Sequence, residues 1–187
     1  MRIWATIVIA ATMLLTACEV PEEALSQQKP LPRIYRIPAG QQAAIQYRML
    51  DAINTLRDAS SFDAMQLDSR LNAAAATHSR DMALQNRPWH FGSDGSSPLD
   101  RITRVGYEGT FLGETISETY ETELETLSAW MSQADTRDVI LDARADQMGF
   151  SWYQEPSGKI WWTLVTGQAA EVVDFDAVDG LLSESDS

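Results

Sequence analysis

Residues 147–166 read QMGFSWYQEPSGKIWWTLVT. Two runs rich in aromatic and β-branched residues, 147–154 and 159–166, flank EPSG, and Pro and Gly in that interval are turn residues, so the stretch predicts a β-hairpin. Side chains alternate across a strand, so about half of the aromatic set that includes Trp152, Trp161 and Trp162 must face a packed layer. The periodic segments upstream are helical instead. Ile45, Met49, Ile53 and Leu56 recur at helical spacing, as do Leu67, Leu71, Ala74, Ala75, His78 and Met82. Ser97-Pro98-Leu99-Asp100 supplies a cap, a proline at the first helical position and an acid at the third, and Gly106 closes that short helix. Leu124, Leu127 and Met131, with Trp130 beside them, follow an acid-rich turn that suits the positive end of a helix dipole. Asp135 is placed to cap a further brief helix that buries Ile140 and Leu141. Helices come first and strands last, which predicts an α+β layered domain over 42–170 rather than a doubly wound parallel sheet.

The two ends read differently. Arg2 and the apolar run IWATIVIAATMLLTA form a signal peptide over 1–17, too short and wrongly flanked for a spanning helix. It runs into Leu15-Thr16-Ala17-Cys18, which resembles the bacterial lipobox and implies cleavage before Cys18, lipidation of its sulfur and acylation of its new amine. An ordinary signal peptide or a buried core cysteine is the alternative, but Cys18 is the only cysteine and an exported protein seldom keeps a free thiol. Lipidation would make the membrane a partner through the N-terminal anchor. Glu19, where an inner-membrane retention signal has Asp, favours the periplasmic face of the outer membrane. Residues 18–41, rich in Pro, Gln and Glu without a period, read as a tether. Residues 171–187 carry six acids and no base and read as an acidic disordered tail, with docking as a marginal helix the alternative. Lys and Arg number 14 against 27 Asp and Glu, a formal charge of −13. No basic stripe exists, so nucleic acid is excluded as a partner.

Several short motifs occur in order: Leu71 and Ala75, His78-Ser79 with Asp81-Met82-Ala83, His90, Gly95, Asp100-Arg101, Gly106-Tyr107, Gly113-Glu114 with Ile116, Trp130-Met131, Arg137, Ile140-Leu141, and Trp161-Trp162-Thr163 ending at Gly167. Together they resemble the CAP superfamily (cysteine-rich secretory proteins, antigen 5 and pathogenesis-related 1 proteins) in its cysteine-poor bacterial branch, over about residues 45–168. The resemblance implies an α-β-α sandwich, with a central antiparallel sheet between helical layers, and an open groove that in many relatives carries histidines and glutamates able to hold a divalent metal. His90 matches the histidine beyond the second helix, and Glu114 the glutamate of Gly-Glu-Asn, whose Asn is Thr115 here. Gln133 stands where eukaryotic members place a second glutamate. Thr136 stands where bacterial members carry a histidine, and Trp161 where a late-strand histidine falls. The resemblance thus leaves His90 and Glu114 as metal candidates, with Gln133, Thr136 and Trp161 as groove residues.

One imidazole and one carboxylate make an incomplete zinc shell, so any divalent metal is expected to bind weakly and with much water; no other cofactor is implied. His78, on an apolar stripe, reads as a core histidine bonded to backbone, with a job different from that of His90. His90 and Glu114 are also the catalytic candidates, since a carboxylate within reach of an imidazole makes a general base. Ser93, Ser96 and Ser97 lie nearby, but turn and cap chemistry accounts for them. No nucleophile elbow, HExxH helix or phosphate loop occurs in the sequence. Arg101 and Tyr107 read as anchors of the short helix. The expected function is a cell-envelope CAP lipoprotein whose groove binds an apolar ligand or an envelope protein without turnover. The alternative is a weak hydrolase using His90 and Glu114.

Overall fold

The computed structural model describes residues 34–171. The signal peptide, Cys18, the first part of the tether and the acidic tail from 172 lie outside the described residues. In chain order the elements are α1 (Gln42–Ala59), β1 (Gln66–Leu67), α2 (Ser69–Gln85), α3 (Pro98–Arg104), β2 (Thr110–Ser117), α4 (Glu123–Ser132), α5 (Ala134–Ile140), β3 (Gln147–Gln154) and β4 (Ile160–Gln168). The sheet order is β1-β3-β4-β2. β3 and β4 form the predicted hairpin, with Gln147 opposite Gly167 and Gln154 opposite Ile160, and β2 pairs antiparallel along the other side of β4.

Alternation along β4 divides the core. Ile160, Trp162 and Leu164 belong to a large cluster with Ile45, Met49 and Ile53 of α1, Leu127 and Trp130 of α4 and Ile140 of α5. Val165 belongs to a smaller cluster on the opposite face with Leu71, Ala74 and Ala75 of α2 and Ile102 of α3. The result is the α-β-α sandwich. Trp162 stacks on Phe150, ring centroids 5.6 Å apart and nearly parallel. On the other face α2 lies directly on β3: a Cβ on Gly149 would meet the Leu71 carbonyl carbon at 2.1 Å and the Asn72 nitrogen at 2.4 Å, so only glycine allows this approach.

The helix starts follow local chemistry. Ser97 and Asp100 form the predicted capping box, Thr122 and Glu125 form a second, and the Asp68 carboxylate accepts from the Arg70 and Leu71 amides at the start of α2. Each cap is worth about 1 kcal/mol. Gly106 has φ +72°, the left-handed turn that closes α3.

Several expectations are corrected. Leu67 lies in β1, which pairs parallel with β3, so the sheet is mixed rather than wholly antiparallel. Leu124 is 48% exposed, and α4 turns Glu123, Thr126, Leu127 and Trp130 inward. Gln133 rather than Asp135 occupies the cap position of α5, and Leu141 is only partly buried. The last stretch of the expected tether is part of the domain, because Tyr35 and Ile37 have core to reach. Ile37 donates its amide to Gln154 Oε1 at 3.0 Å, Gln154 Nε2 donates to the Tyr35 carbonyl at 2.9 Å, and Arg36 donates to the Glu155 and Pro156 carbonyls. The compact unit accordingly begins at Ile34. Arg57, one turn past the α1 stripe, is fully buried and donates to the carbonyls of Asp63, Ile140, Asp142 and Ala145 at 2.7–3.0 Å. It ties the end of α1 to the loop that leads into β3.

Candidate functional site

Both histidines approach one carboxylate. Glu114 sits on β2 opposite Val165, facing the α2 layer, and its side chain is 2% exposed. His90, in the loop between α2 and α3, donates Nδ1–H to Glu114 Oε1 at 2.9 Å and is 48% exposed. Because Nδ1 faces the carboxylate, the exposed edge of the ring carries Nε2. His78 on α2 is fully buried, and its Nε2 lies 3.0 Å from the Trp89 carbonyl and 3.6 Å from Glu114 Oε1. A carbonyl only accepts, so His78 Nε2 carries the proton. His78 Nδ1 has no hydrogen-bond partner among the described residues. Burial holds the His78 pKa below the ordinary imidazole value, opposed by the Glu114 charge and reinforced by Arg101. His78 is therefore a neutral core histidine bonded to backbone, as expected, but it stands beside the carboxylate that His90 uses.

Arg101 of α3 completes the cluster. Its Nη2 donates to Glu114 Oε1 and Oε2 at 2.8 and 2.7 Å, and its Nη1 donates to the carbonyls of His90 and Ser96 at 2.9 and 3.3 Å. Anchoring by Arg101 was legible, but its partner was not: nothing in sequence links positions 101 and 114. Tyr107 anchors the other end, donating its hydroxyl to Gln147 at 2.7 Å; burial pushes its pKa up to about 12.

The loop carrying His90 is tied down by carboxylates. Asp81 accepts from the Ser93 amide and hydroxyl at 2.7 and 2.6 Å and from Gln85 at 2.8 Å. Sequence reading gave Asp81 no role beyond motif membership. Ser96 donates its backbone amide to Asp94 Oδ1 at 2.9 Å, hydrogen bonds from Ser96 and Arg104 hold that carboxyl well below the usual carboxylate range, and Ser97 donates its hydroxyl to Asp100 at 2.8 Å. Each of the three serines is thus committed to an aspartate, and turn and cap chemistry does account for them.

The remaining candidates separate. Gln133 and Thr136 share an open depression of about 320 Å³ with Pro88, Ile116, Tyr120 and Trp130. Its floor is fixed from inside: Trp130 Nε1 donates to the Ile116 carbonyl at 3.1 Å, Trp162 Nε1 to the Tyr120 carbonyl at 2.9 Å, and the Thr136 hydroxyl to the Trp130 carbonyl at 2.5 Å. Trp161 is not a groove residue: it is 0% exposed. It points to the α2 side of β4, where Glu155 accepts its Nε1–H at 2.7 Å and Lys159 Nζ lies 3.8 Å from its ring centroid. Its own hairpin seals it.

The divalent metal that the resemblance implies does not fit these residues. Both Glu114 oxygens are engaged by a guanidinium, His78 offers its protonated nitrogen, and a dication would have to sit beside Arg101. No group of three His, Cys, Asp or Glu among the described residues is placed to hold an ion. His90 and Glu114 make a carboxylate-oriented imidazole rather than a pair of metal ligands.

Comparison with known proteins agrees with this fold. Solved structures with similar folds include an outer surface protein of Borrelia burgdorferi, at TM-score 0.62 and 15% identity over 74% of this chain and all of that one. An extracellular SCP-domain protein of Bacillus anthracis strain Ames matches at TM-score 0.59 and 20% identity, over 78% of this chain and 49% of that one. A cysteine-rich secretory protein of Staphylococcus aureus matches at 0.55 and 15%, over 71% and 41%. At these identities the likeness is one of fold, and the chain spans half or less of the last two. No curated protein sequence matches the chain. Residues 50–166 match the model of the Cysteine-rich secretory protein family. With the sandwich, the His90–Glu114 pair and that match over most of its domain, the chain belongs to the CAP family.

Proposed function

We propose that this chain is an exported lipoprotein of a bacterial cell envelope, anchored through Cys18, whose CAP groove binds a ligand or envelope protein without turnover. The observation that carries the non-catalytic reading is the donation of the Ser93 and Ser97 hydroxyls to Asp81 and Asp100, which commits both hydroxyls to carboxylates other than the one that orients His90. The depression beside Gln133 and Thr136 has a prefixed floor and sets Ser117, Glu118 and Thr119 against Ile116, Pro88 and Trp130, which suits a ligand that presents polar groups to most of the surface and an apolar patch to the rest. The outer-surface and extracellular descriptions of the Borrelia and Bacillus proteins support export, and the lipobox-like Leu15–Cys18 supports the anchor.

Mass spectrometry of the chain expressed in a Gram-negative host tests the anchor: an acylated N-terminal Cys18 is expected, and an unmodified thiol would remove it. Native mass spectrometry of the same material, with His90→Ala in parallel, tests the groove. A bound species retained by the variant supports a binding module. Hydrolysis of an ester or peptide probe that disappears in His90→Ala supports the second reading, a weak hydrolase, which the 2.9 Å contact between His90 and Glu114 favours.

A further inference from the structure

One guanidinium grips His90 at both ends. Arg101 Nη1 holds the carbonyl of His90, and Arg101 Nη2 holds the carboxylate that in turn holds the His90 ring. Few hydrogen-bond patterns fix a side chain so fully: backbone and ring are referred to the same planar group, itself 6% exposed and rigid by delocalisation. A nearly inaccessible carboxylate needs a partner of opposite charge, and the cation here is part of the chain.

We infer that Arg101 is the resident cation of this groove, standing in place of a divalent metal, and that it is a positioning residue whose work is to hold His90 in the Nδ1–H form with Nε2 bare and turned outward. The carboxylate can only accept, so it selects the ring form that donates from Nδ1. A metal at Glu114 would compete with the guanidinium for the same two oxygens. Arg101 removes that competition permanently, because a guanidinium does not deprotonate in proteins. The outward nitrogen is then a hydrogen-bond acceptor for a hydroxyl or amide N–H of whatever occupies the groove. The arrangement precedes any ligand, so it can be measured without one, and its failure is distinguishable from failure of the binding reading.

The test uses the full chain in detergent micelles, labelled with ¹⁵N at histidine; with two histidines in the sequence, two ring systems are read. Long-range proton–nitrogen correlation reports which nitrogen carries the proton. His90 is expected as Nδ1–H with a preference of at least about tenfold, the weight of one charge-assisted hydrogen bond, and His78 as Nε2–H. Equimolar zinc should leave both unchanged. In Arg101→Gln the His90 preference should fall to within about threefold of parity while His78 keeps its form, and Arg101→Lys should recover part of the preference. A His90 found as Nε2–H in the unaltered chain, or shifted by equimolar zinc, overturns the inference, as does an unchanged His90 in a folded Arg101→Gln. If Arg101→Gln also loses the His78 signature, it has unfolded, and the two readings on the unaltered chain decide.

Discussion

Replacing Glu114 by Gln keeps the shape of the side chain and removes only the charge facing Arg101. The side chains of the two residues are 2% and 6% exposed, so the guanidinium left behind has little access to water. Breaking a buried pair from one side costs about 3–5 kcal/mol, because the survivor is stranded. The low end applies here: Arg101 keeps its bonds to the His90 and Ser96 carbonyls, and the new amide oxygen still accepts from Nη2. A loss of about 3 kcal/mol is therefore expected, a large share of the roughly 5–15 kcal/mol that holds a domain together. Urea unfolding followed by tryptophan fluorescence measures it; with a slope of about 2 kcal/mol per molar, the midpoint should drop by about 1.5 M. Arg101→Gln should cost a similar amount by stranding the carboxylate, and the double substitution should cost less than the two together by about 2 kcal/mol. If Glu114→Gln loses less than about 1 kcal/mol, or if the two costs simply add, the pair is not the coupled buried unit described here.

Arg57→Met should cost about 4 kcal/mol, since it leaves the Asp63, Ile140, Asp142 and Ala145 carbonyls without their donor; a chemical unfolding curve within about 1 kcal/mol of the unaltered chain would refute that role. Gly149→Ala should cost at least about 3 kcal/mol, because its methyl meets the backbone of Leu71 and Asn72, and thermal unfolding should show a lower midpoint, while the same change at exposed Gly95 should cost only its left-handed backbone strain. His78 makes stability depend on pH. Its folded pKa lies below its unfolded one, so the unfolded chain binds the extra proton, and stability falls as pH drops below about 6.5 and continues falling to the folded value. Asp94, Asp100 and Asp142, whose folded pKa values are lowered, add losses only below about pH 4, so a His78→Gln variant should flatten the melting-temperature profile between about pH 7 and 5 and leave the acid limb in place.

The sequence carried the helices and the hairpin because their information is local. Ile45, Met49 and Ile53 repeat at the helical period, Ser97 and Asp100 are three residues apart, and the turn at 155–158 announces the strands it joins. β2 drew no reading as a strand, only its Gly113-Glu114 motif: TFLGETIS has no clean alternation, because the register against β4 shifts between Phe111 and Gly113, with Leu112 on the large core and Glu114 facing α2. Charges were the least legible. Arg57 drew no reading and Arg101 only that of an anchor without a partner, and each is buried by oxygens contributed from distant segments. The site shows the same limit. His90 and Glu114 could be paired from motif order, whereas the approach of His78 and the two-ended hold of Arg101 depend on α2, α3 and β2 meeting in space. Residues 34–38 read as tether because prolines interrupt any period, although Tyr35 and Ile37 pack on the core.

That strap decides how the domain bears force. A pull on the N-terminal side does not reach the first turn of α1 directly; it arrives at Arg36 and Ile37, whose bonds run to Gln154, Glu155 and Pro156 at the tip of the β3–β4 hairpin. β3 and β4 are the two inner strands, so the load is delivered to the middle of the sheet while α1 is spared. The strap's bonds are few and mostly between side chain and backbone, so they should yield before the sheet does. Release of the eight residues 34–41 would free a contour of roughly 25 Å, less the distance they already span. In a pulling experiment the strap would behave as a mechanical fuse, absorbing the first extension and leaving the groove intact.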